Sequence, residues 1–186
     1  MKQTILKILQ QQIPSGQTAH NFTKIIKNNL DNITIPKTQL EALYHTYHTY
    51  YYSHIRYKQM YGNITFRQFW QYEAVIDPST NPLHKALDGK VLKFNDPFWQ
   101  FFFPPNDYNC RCSVRAFNER DIQRKNLIVE TSKNKLFITK TNNKDIPVFI
   151  DDNTGLNISP HTDWCFNISE KPFVEVETMI LNHYLN

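Results

Sequence analysis

Two cysteines and one histidine are the side chains of this chain best suited to bind a metal ion. Cys110 and Cys112 are separated by a single arginine, and His84 lies upstream in a turn-rich segment. A Cys-x-Cys pair is poorly placed to close a disulfide on itself, but it can offer two thiolates to one ion. With one imidazole, it supplies three of the four ligands of a tetrahedral zinc site. The spacing leaves two interpretations: one structural zinc ion, or two buried cysteines beside a histidine that is hydrogen-bonded in a turn.

A carboxylate is the expected fourth ligand in the metal interpretation. Asp77 follows a predicted strand, which would hold it in place, and Asp88 is the alternative. The same residues allow two catalytic hypotheses: His84 beside a thiol nucleophile, or Asp77, His84 and Asp88 around a divalent ion for phosphodiester hydrolysis. The sequence carries no H-E-x-x-H, P-loop or G-x-S-x-G signature for either hypothesis. We therefore assign no catalytic residue and expect a protein that is not an enzyme.

Composition limits the class of protein. Of 186 residues, 40% are hydrophobic and 20% are charged, so the chain can bury a core. The three cysteines come without a recognisable export signal, which argues against a disulfide framework. No apolar run approaches the roughly 20 residues that span a membrane. The net charge of +4 permits weak nucleic-acid contact but does not by itself predict it.

Periodicity predicts the elements that must position these residues. Apolar residues at helical spacing predict helices over about 2–12, 17–30 and 37–61, followed by a closing helix over 173–184. Strand formers predict strands over 69–76, 90–94 and 112–117, and a hairpin of 135–139 with 146–150. Short helices are expected over 82–87 and over 119–126, the latter capped by Asn118.

These elements indicate an α+β fold in which N-terminal helices precede a small, loop-rich mixed or antiparallel sheet domain. The predicted domains are an N-terminal helical region over 1–62, a core over 63–172 and a C-terminal helix or tail over 173–186. The aromatic loop 95–109 is predicted to fold back on the core, with an exposed docking patch as the alternative. On the helix 37–61, Tyr47, Tyr51 and Ile55 are expected to pack on the core or on a partner.

The chain resembles the phage Mu F-like head morphogenesis family, the minor head proteins of tailed phages. The resemblance is strongest over about residues 44–117 and extends faintly to Gly155 and to Trp164-Cys165-Phe166-Asn167. The resemblance rests on an ordered set of residues that is far more specific than one short pattern. The set comprises Trp70-Gln71-Tyr72-Glu73-Ala74-Val75, Asp77, Thr80, Pro82, His84, Leu87-Asp88-Gly89-Lys90-Val91, Asp96-Pro97-Phe98-Trp99, Pro104-Pro105-Asn106 and Asn109-Cys110-Arg111-Cys112.

The chain departs from the family pattern at several positions. Asn81 stands where Mu-type members usually carry Arg and where a related branch carries Cys, and Asp107 replaces a common Gly. In that branch a Cys-Pro-x-Cys element pairs with a His-Pro-x-Cys-Arg-Cys element. Here His84 takes the second position of the first element, and no residue clearly replaces the missing histidine. The resemblance therefore implies a shared metal-like geometry from which this chain has lost one ligand.

The resemblance also implies what the protein does. It implies structural work in head (procapsid) morphogenesis, with phage portal and capsid or scaffold proteins as partners, in the virion head or the host bacterial cytoplasm, and no membrane. DNA contact, if any, is expected to be weak. Two alternatives are a small metal-dependent nuclease or toxin domain of prophage origin, and a nucleic-acid-binding module that uses Arg56, Lys58, Arg67 and the tyrosines.

Overall fold

The computed structural model describes residues 1–30 and 34–186 and has the predicted α+β composition. The helices are α1 (Lys2–Gln12), α2 (Ala19–Asn29), α3 (Lys37–Gly62), α4 (Pro82–Ala86), α5 (Trp99–Phe102), α6 (Glu119–Lys125) and α7 (Phe173–Leu185). The strands are β1 (Phe69–Glu73), β2 (Val91–Lys93), β3 (Ser113–Phe117), β4 (Val129–Glu130), β5 (Leu136–Thr141), β6 (Lys144–Ile150) and β7 (Asn157–Ile158). A 3₁₀ turn covers Thr162–Trp164.

The chain divides into a helical unit, Met1–Tyr51 with Lys171–Asn186, and a mixed unit, Tyr52–Glu170. Helix α3 contributes residues to both units, and its buried positions recur at three- and four-residue spacing over Leu40, Leu43, Tyr47, Tyr50 and Ser53. Tyr47 is 1% exposed and packs in the helical unit, which confirms the core interpretation for this residue. Tyr51 and Ile55 are half-buried, and Tyr61, which the periodicity places on the same stripe, is exposed. No helix in the described ranges combines the length and apolarity that a bilayer span requires.

The helical unit buries the apolar faces that the sequence predicts. Ile5 and Leu9 of α1 and Phe22 and Ile26 of α2 are fully buried at i, i+4 spacing. α2 begins where the Thr18 hydroxyl accepts a hydrogen bond from the Asn21 N–H. The predicted helices over 2–12, 17–30, 37–61 and 173–184 are thus confirmed to within a few residues.

The mixed unit contains two sheets. The four-stranded sheet has the order β3-β1-β2-β4, in which β2 and β4 are parallel and the other pairs antiparallel. The second sheet, β5-β6-β7, is antiparallel. Strand β1 is central: Trp70 lies opposite Leu92 and Ala116, and Tyr72 lies opposite Val114. Since side chains alternate along a strand, Trp70 and Tyr72 share one face, and both are fully buried.

The aromatic segment after β2 folds back onto this face, as predicted. Phe98, Trp99, Phe102 and Phe103 are each at most 5% exposed. The Trp99 indole N–H donates to the Lys93 carbonyl over 3.0 Å, which ties α5 to the end of β2. The segment is therefore part of the core rather than an exposed patch.

Candidate metal centre

His84 is positioned by the short helix α4. The Asn81 side chain caps this helix by accepting a hydrogen bond from the Leu83 N–H, and Pro82 stands at its start, where a missing N–H costs nothing. One turn later His84 points inward and is 5% exposed. The Asn81 that departs from the family pattern therefore acts here as a helix cap.

The two cysteines are positioned by a turn and the extended chain that follows it. In the turn, the Cys110 N–H bonds the Asp107 carbonyl over 3.3 Å, and Asn109 adopts a left-handed conformation with φ of 58°. Asparagine tolerates this conformation better than most residues. From Cys110 the chain is extended and enters β3, so Cys110 and Cys112 share a buried face while Arg111 points to the other side.

This arrangement brings the three predicted donors together. The His84 Nδ1 lies 3.7 Å from the Cys110 Sγ and 3.8 Å from the Cys112 Sγ. All three donor atoms lie within 4.8 Å of one another, and all three residues are buried. None of the three cysteines of the chain forms a disulfide. The structure thus gathers side chains from two separate segments, α4 and the Asp107–Cys112 loop, around one point.

Polar groups surround the two sulfur atoms. The backbone N–H groups of Asn106 and Cys112 lie beside the Cys110 sulfur and favour its thiolate form, and the Tyr72 hydroxyl does the same for the Cys112 sulfur. The Asn106 side-chain amide in turn donates to the Tyr72 oxygen over 3.0 Å. Tyr72 and Asn106 are 0% and 1% exposed. The cluster therefore has a second layer of fixed hydrogen-bond donors.

The two thiols differ in acidity because they share a hydrogen bond. That bond, with contributions from His84 and Tyr72, lowers the pKa of Cys112 below the usual value for a thiol. The same bond, together with burial, raises the pKa of Cys110. Burial likewise raises the pKa of Tyr72, so its hydroxyl stays protonated and remains a donor. The site therefore favours a thiolate at Cys112.

The two candidate carboxylates are engaged elsewhere. Asp77 forms two hydrogen bonds of 2.7 Å with the Arg111 guanidinium, and these bonds are the main reason that the pKa of Asp77 lies well below its usual range. Asp88 accepts the Ala74 N–H over 2.8 Å. Neither carboxylate belongs to the donor group of His84, Cys110 and Cys112. The structure therefore brings together three of the predicted ligands and places Asp77 and Asp88 outside that group.

Sequence reasoning missed three participants in the site: Tyr72, Asn106 and the role of Arg111. Two signals were present. Tyr72 follows Trp70 by two residues, so strand alternation puts it on the buried face, and Arg111 sits between two inward-facing cysteines. Asn106 offers no comparable signal, because its contact with Tyr72 depends on the path of an irregular loop.

The cluster lines a pocket of about 340 Å³. Its walls come from the Ser79–Pro82 turn, the Asp107–Arg111 loop and Val75. The Arg111–Asp77 pair is partly exposed, with side-chain exposures of 41% and 34%. The buried donors are therefore adjacent to a space large enough for solvent or a small ligand.

The fold and this cluster define a small α+β protein built around a His–Cys–Cys group, and comparison with known proteins assigns the family. The family described as "Phage Mu protein F like protein" matches residues 3–115, which include the whole cluster. The chain therefore belongs to this family, which confirms the resemblance that the sequence indicated.

Two relatives illustrate the match. The chain is 34% identical over 125 residues to the "Mu-like prophage FluMu F protein" of Haemophilus influenzae, which covers 67% of this chain and 27% of that protein. It is 30% identical over 139 residues to the "Putative capsid assembly protein F" of Escherichia phage Mu, which covers 67% of this chain and 30% of that protein. The chain thus spans less than a third of the length of these relatives. No solved structure matches it significantly.

Proposed function

We propose that this chain is a structural protein of phage head assembly that acts by contacting other head proteins. The observation that carries the proposal is the family match over residues 3–115, together with a relative from phage Mu whose name describes capsid assembly. As partners we propose the portal and the capsid or scaffold proteins. The place of action is the phage head, or the host cytoplasm while the head is being built.

The packing of the mixed unit supports this role. A structural head protein needs a rigid interior and an outer surface that can meet a partner. The interior is supplied by interlocking rings such as Phe98 and Phe102, which stack at 4.7 Å. On the surface, Phe66 and Ile128 are 76% and 81% exposed. Large exposed apolar side chains are candidates for burial at an interface.

Weak DNA contact is consistent with the charge arrangement. Of the three basic residues considered for nucleic-acid binding, Arg56 donates to the Val114 carbonyl over 2.7 Å, and Arg67 donates to the Ala116 carbonyl and to Asp121. Arg115 pairs with Glu73 over 2.8 Å. Because these three arginines are already engaged and the net charge is only +4, we expect any DNA binding to be weak and salt-sensitive.

The nuclease alternative gains no support from the geometry. It requires Asp77, His84 and Asp88 around one ion, but the two carboxylates bond Arg111 and Ala74 while the His84 Nδ1 faces the thiols.

Co-expression with the cognate portal, capsid and scaffold proteins tests the proposal. We expect the chain to co-sediment with assembled particles. A matched variant, Phe66→Ser with Ile128→Ser, should keep its melting temperature because both side chains are exposed. Reduced incorporation of this variant would place a contact on the mixed unit. Particles that form without the wild-type chain, together with turnover of DNA or nucleotide by the isolated protein, would overturn the structural role.

A further inference from the structure

We propose that His84 Nδ1 and the Sγ atoms of Cys110 and Cys112 bind one Zn²⁺ ion, and that the fourth coordination position is open to the adjacent pocket and holds water. The ion would cross-link α4 to the start of β3. The names of the family and of its relatives assign no such site. The inference is independent of the proposed role in head assembly.

The distances between the donor atoms fit a tetrahedral zinc ion. Zinc–sulfur and zinc–nitrogen bonds of ordinary length place a nitrogen and a sulfur ligand about 3.6 Å apart, and two sulfur ligands about 3.8 Å apart. The observed nitrogen–sulfur distances are 3.7 and 3.8 Å, and the two sulfur atoms lie within 4.8 Å of each other. Binding an ion would therefore need only small shifts of the side chains.

Hydrogen bonding alone explains the cluster less well. A single Nδ1 faces two sulfur atoms at almost equal distances, yet it carries at most one proton or one lone pair to share. The backbone N–H groups of Asn106 and Cys112 and the Tyr72 hydroxyl also lie beside the sulfurs. Such donors are expected around thiolates that ligate a metal, where they orient the ligands and tune their basicity.

The donor types select the ion. Two thiolates and an imidazole suit Zn²⁺, whereas Mg²⁺ and Ca²⁺ require oxygen ligands. In the complex both cysteines are thiolates, any remaining thiol proton having passed to solvent, and the resulting Zn²⁺ with two thiolates and a neutral histidine carries no net charge. A neutral complex can be buried at lower cost than an isolated ion. The buried position of all three side chains is consistent with such a complex.

The fourth position is assigned to water because the nearby carboxylates have other partners. Asp77 is held by Arg111 through both oxygens, and Asp88 bonds the Ala74 N–H. The pocket beside the cluster, about 340 Å³, has room for solvent. Two Cys and one His with an open position is also a ligand set that zinc adopts when it retains a water.

Metal analysis of the full chain, purified without chelators, provides the test. We expect one zinc per wild-type chain and almost none in Cys110→Ser or Cys112→Ser. The matched control is Cys165→Ser, since this third cysteine lies outside the donor group and its sulfur contacts the carbonyls of Pro160 and His161. It should retain one zinc. Wild-type protein without zinc, or equal zinc in all variants, would overturn the proposal.

Cobalt replacement keeps the proposal testable if the serine variants fail to fold. Wild-type chain stripped of metal and titrated with Co²⁺ should develop thiolate-to-cobalt charge-transfer absorption and the visible bands of a tetrahedral site, with one equivalent bound. The absence of these bands would refute the site.

Two further experiments test the fourth position. Azide should shift the visible bands of the cobalt protein if water holds this position, and unchanged bands would refute the open position. Asp77→Asn should keep the ion, whereas loss of zinc from a folded Asp77→Asn chain would make Asp77 the fourth ligand.

Discussion

Trp70 and Tyr72 lie two residues apart on one face of strand β1, but their buried surroundings are of two different kinds. Trp70 is fully buried among rings, with the centroids of Trp99 and Phe103 each 5.7 Å from its own. Tyr72 is equally buried, but its neighbours are the Asn106 amide and the Cys112 thiol. We refer to these as the aromatic end and the polar end of the β1 face.

The two ends depend on different physics. At the aromatic end, stability follows from the apolar area removed from water, which is non-directional and tolerates changes in detail. At the polar end, each buried polar group left without a partner costs about 1–3 kcal/mol, and among the described residues the Asn106 Oδ1 is such a group. The aromatic end therefore contributes most of the stability, while the polar end requires specific partners and, in our proposal, a metal ion.

Trp99→Ala is expected to have the largest effect. It removes a ring that is 2% exposed and the hydrogen bond from its indole to Lys93. Truncation of a buried tryptophan leaves a cavity, and we expect a loss of about 4 kcal/mol in the free energy of unfolding. Denaturant unfolding of wild type and variant, each with and without chelator, measures this. A soluble Trp99→Ala protein with wild-type stability would show that the aromatic end is not a core.

Asp151→Asn tests whether a buried charge near the aromatic end also needs a specific partner, as the groups at the polar end do. Asp151 is 1% exposed and pairs with Lys90 over 2.5 Å, and the Lys90 ammonium lies 5.7 Å from the centre of the Phe149 ring. Removing Asp151 leaves the buried Lys90 ammonium with its longer contact to Glu130, 3.5 Å away, so we expect a loss of about 3 kcal/mol. The matched control is the neighbouring Asp152→Asn, because Asp152 is 63% exposed in its pair with Lys135 and should lose less than about 1 kcal/mol. Equal losses in the free energy of unfolding for Asp151→Asn and Asp152→Asn would contradict the expectation that burial sets the cost.

The same pair gives the direction of a pH dependence. Burial alone would raise the pKa of Asp151, but hydrogen bonds from Lys90 and Thr154 outweigh it and lower the pKa below its usual value. The unfolded chain therefore takes up a proton before the folded chain does, and stability falls as the pH drops below about 4. Acid denaturation followed by circular dichroism should show this loss in wild type and a smaller loss in Asp151→Asn.

The aromatic end and the helices could be predicted from the sequence because their signals are local. Periodic apolar residues define α1, α2, α3 and α7, and the density of aromatics in 95–109 predicts a buried segment. The polar end could be predicted only in part. His84, Cys110 and Cys112 were identified by donor type, but the partners of Asp77 and Asp88 depend on which loops meet in space. The spacing of residues along the chain does not indicate that Asp77 bonds Arg111 through both of its oxygens.

Tyr72→Phe tests the second layer of the polar end. The substitution keeps the ring but removes the oxygen that accepts from Asn106 and the donor that faces Cys112. We expect a loss of about 1–2 kcal/mol in stability and, since second-layer groups tune metal ligands, a roughly 10-fold weaker affinity for zinc. Competition with a chromophoric chelator measures the affinity. Tyr61→Phe is the control, because Tyr61 is 53% exposed and should change neither quantity.

Cys165→Ser is expected to have the smallest effect on stability, within about 0.5 kcal/mol, because this half-buried side chain lies outside the polar end.

The thiol of Cys165 should also react slowly. Burial raises the pKa of Cys165 to about 11. Of the two nearby charged groups, Lys144 lowers this pKa and Asp163 raises it. At pH 8 the thiolate fraction is then roughly a hundred-fold below that of an ordinary cysteine, and thiolate is the reactive form. Alkylation by iodoacetamide, located by peptide mass mapping, should therefore be slow at pH 8 and accelerate towards pH 11. Rapid labelling of Cys165 at pH 8 would show that burial does not raise the pKa of this thiol. The difference in acidity between Cys165 and Cys112 would then not come from their surroundings.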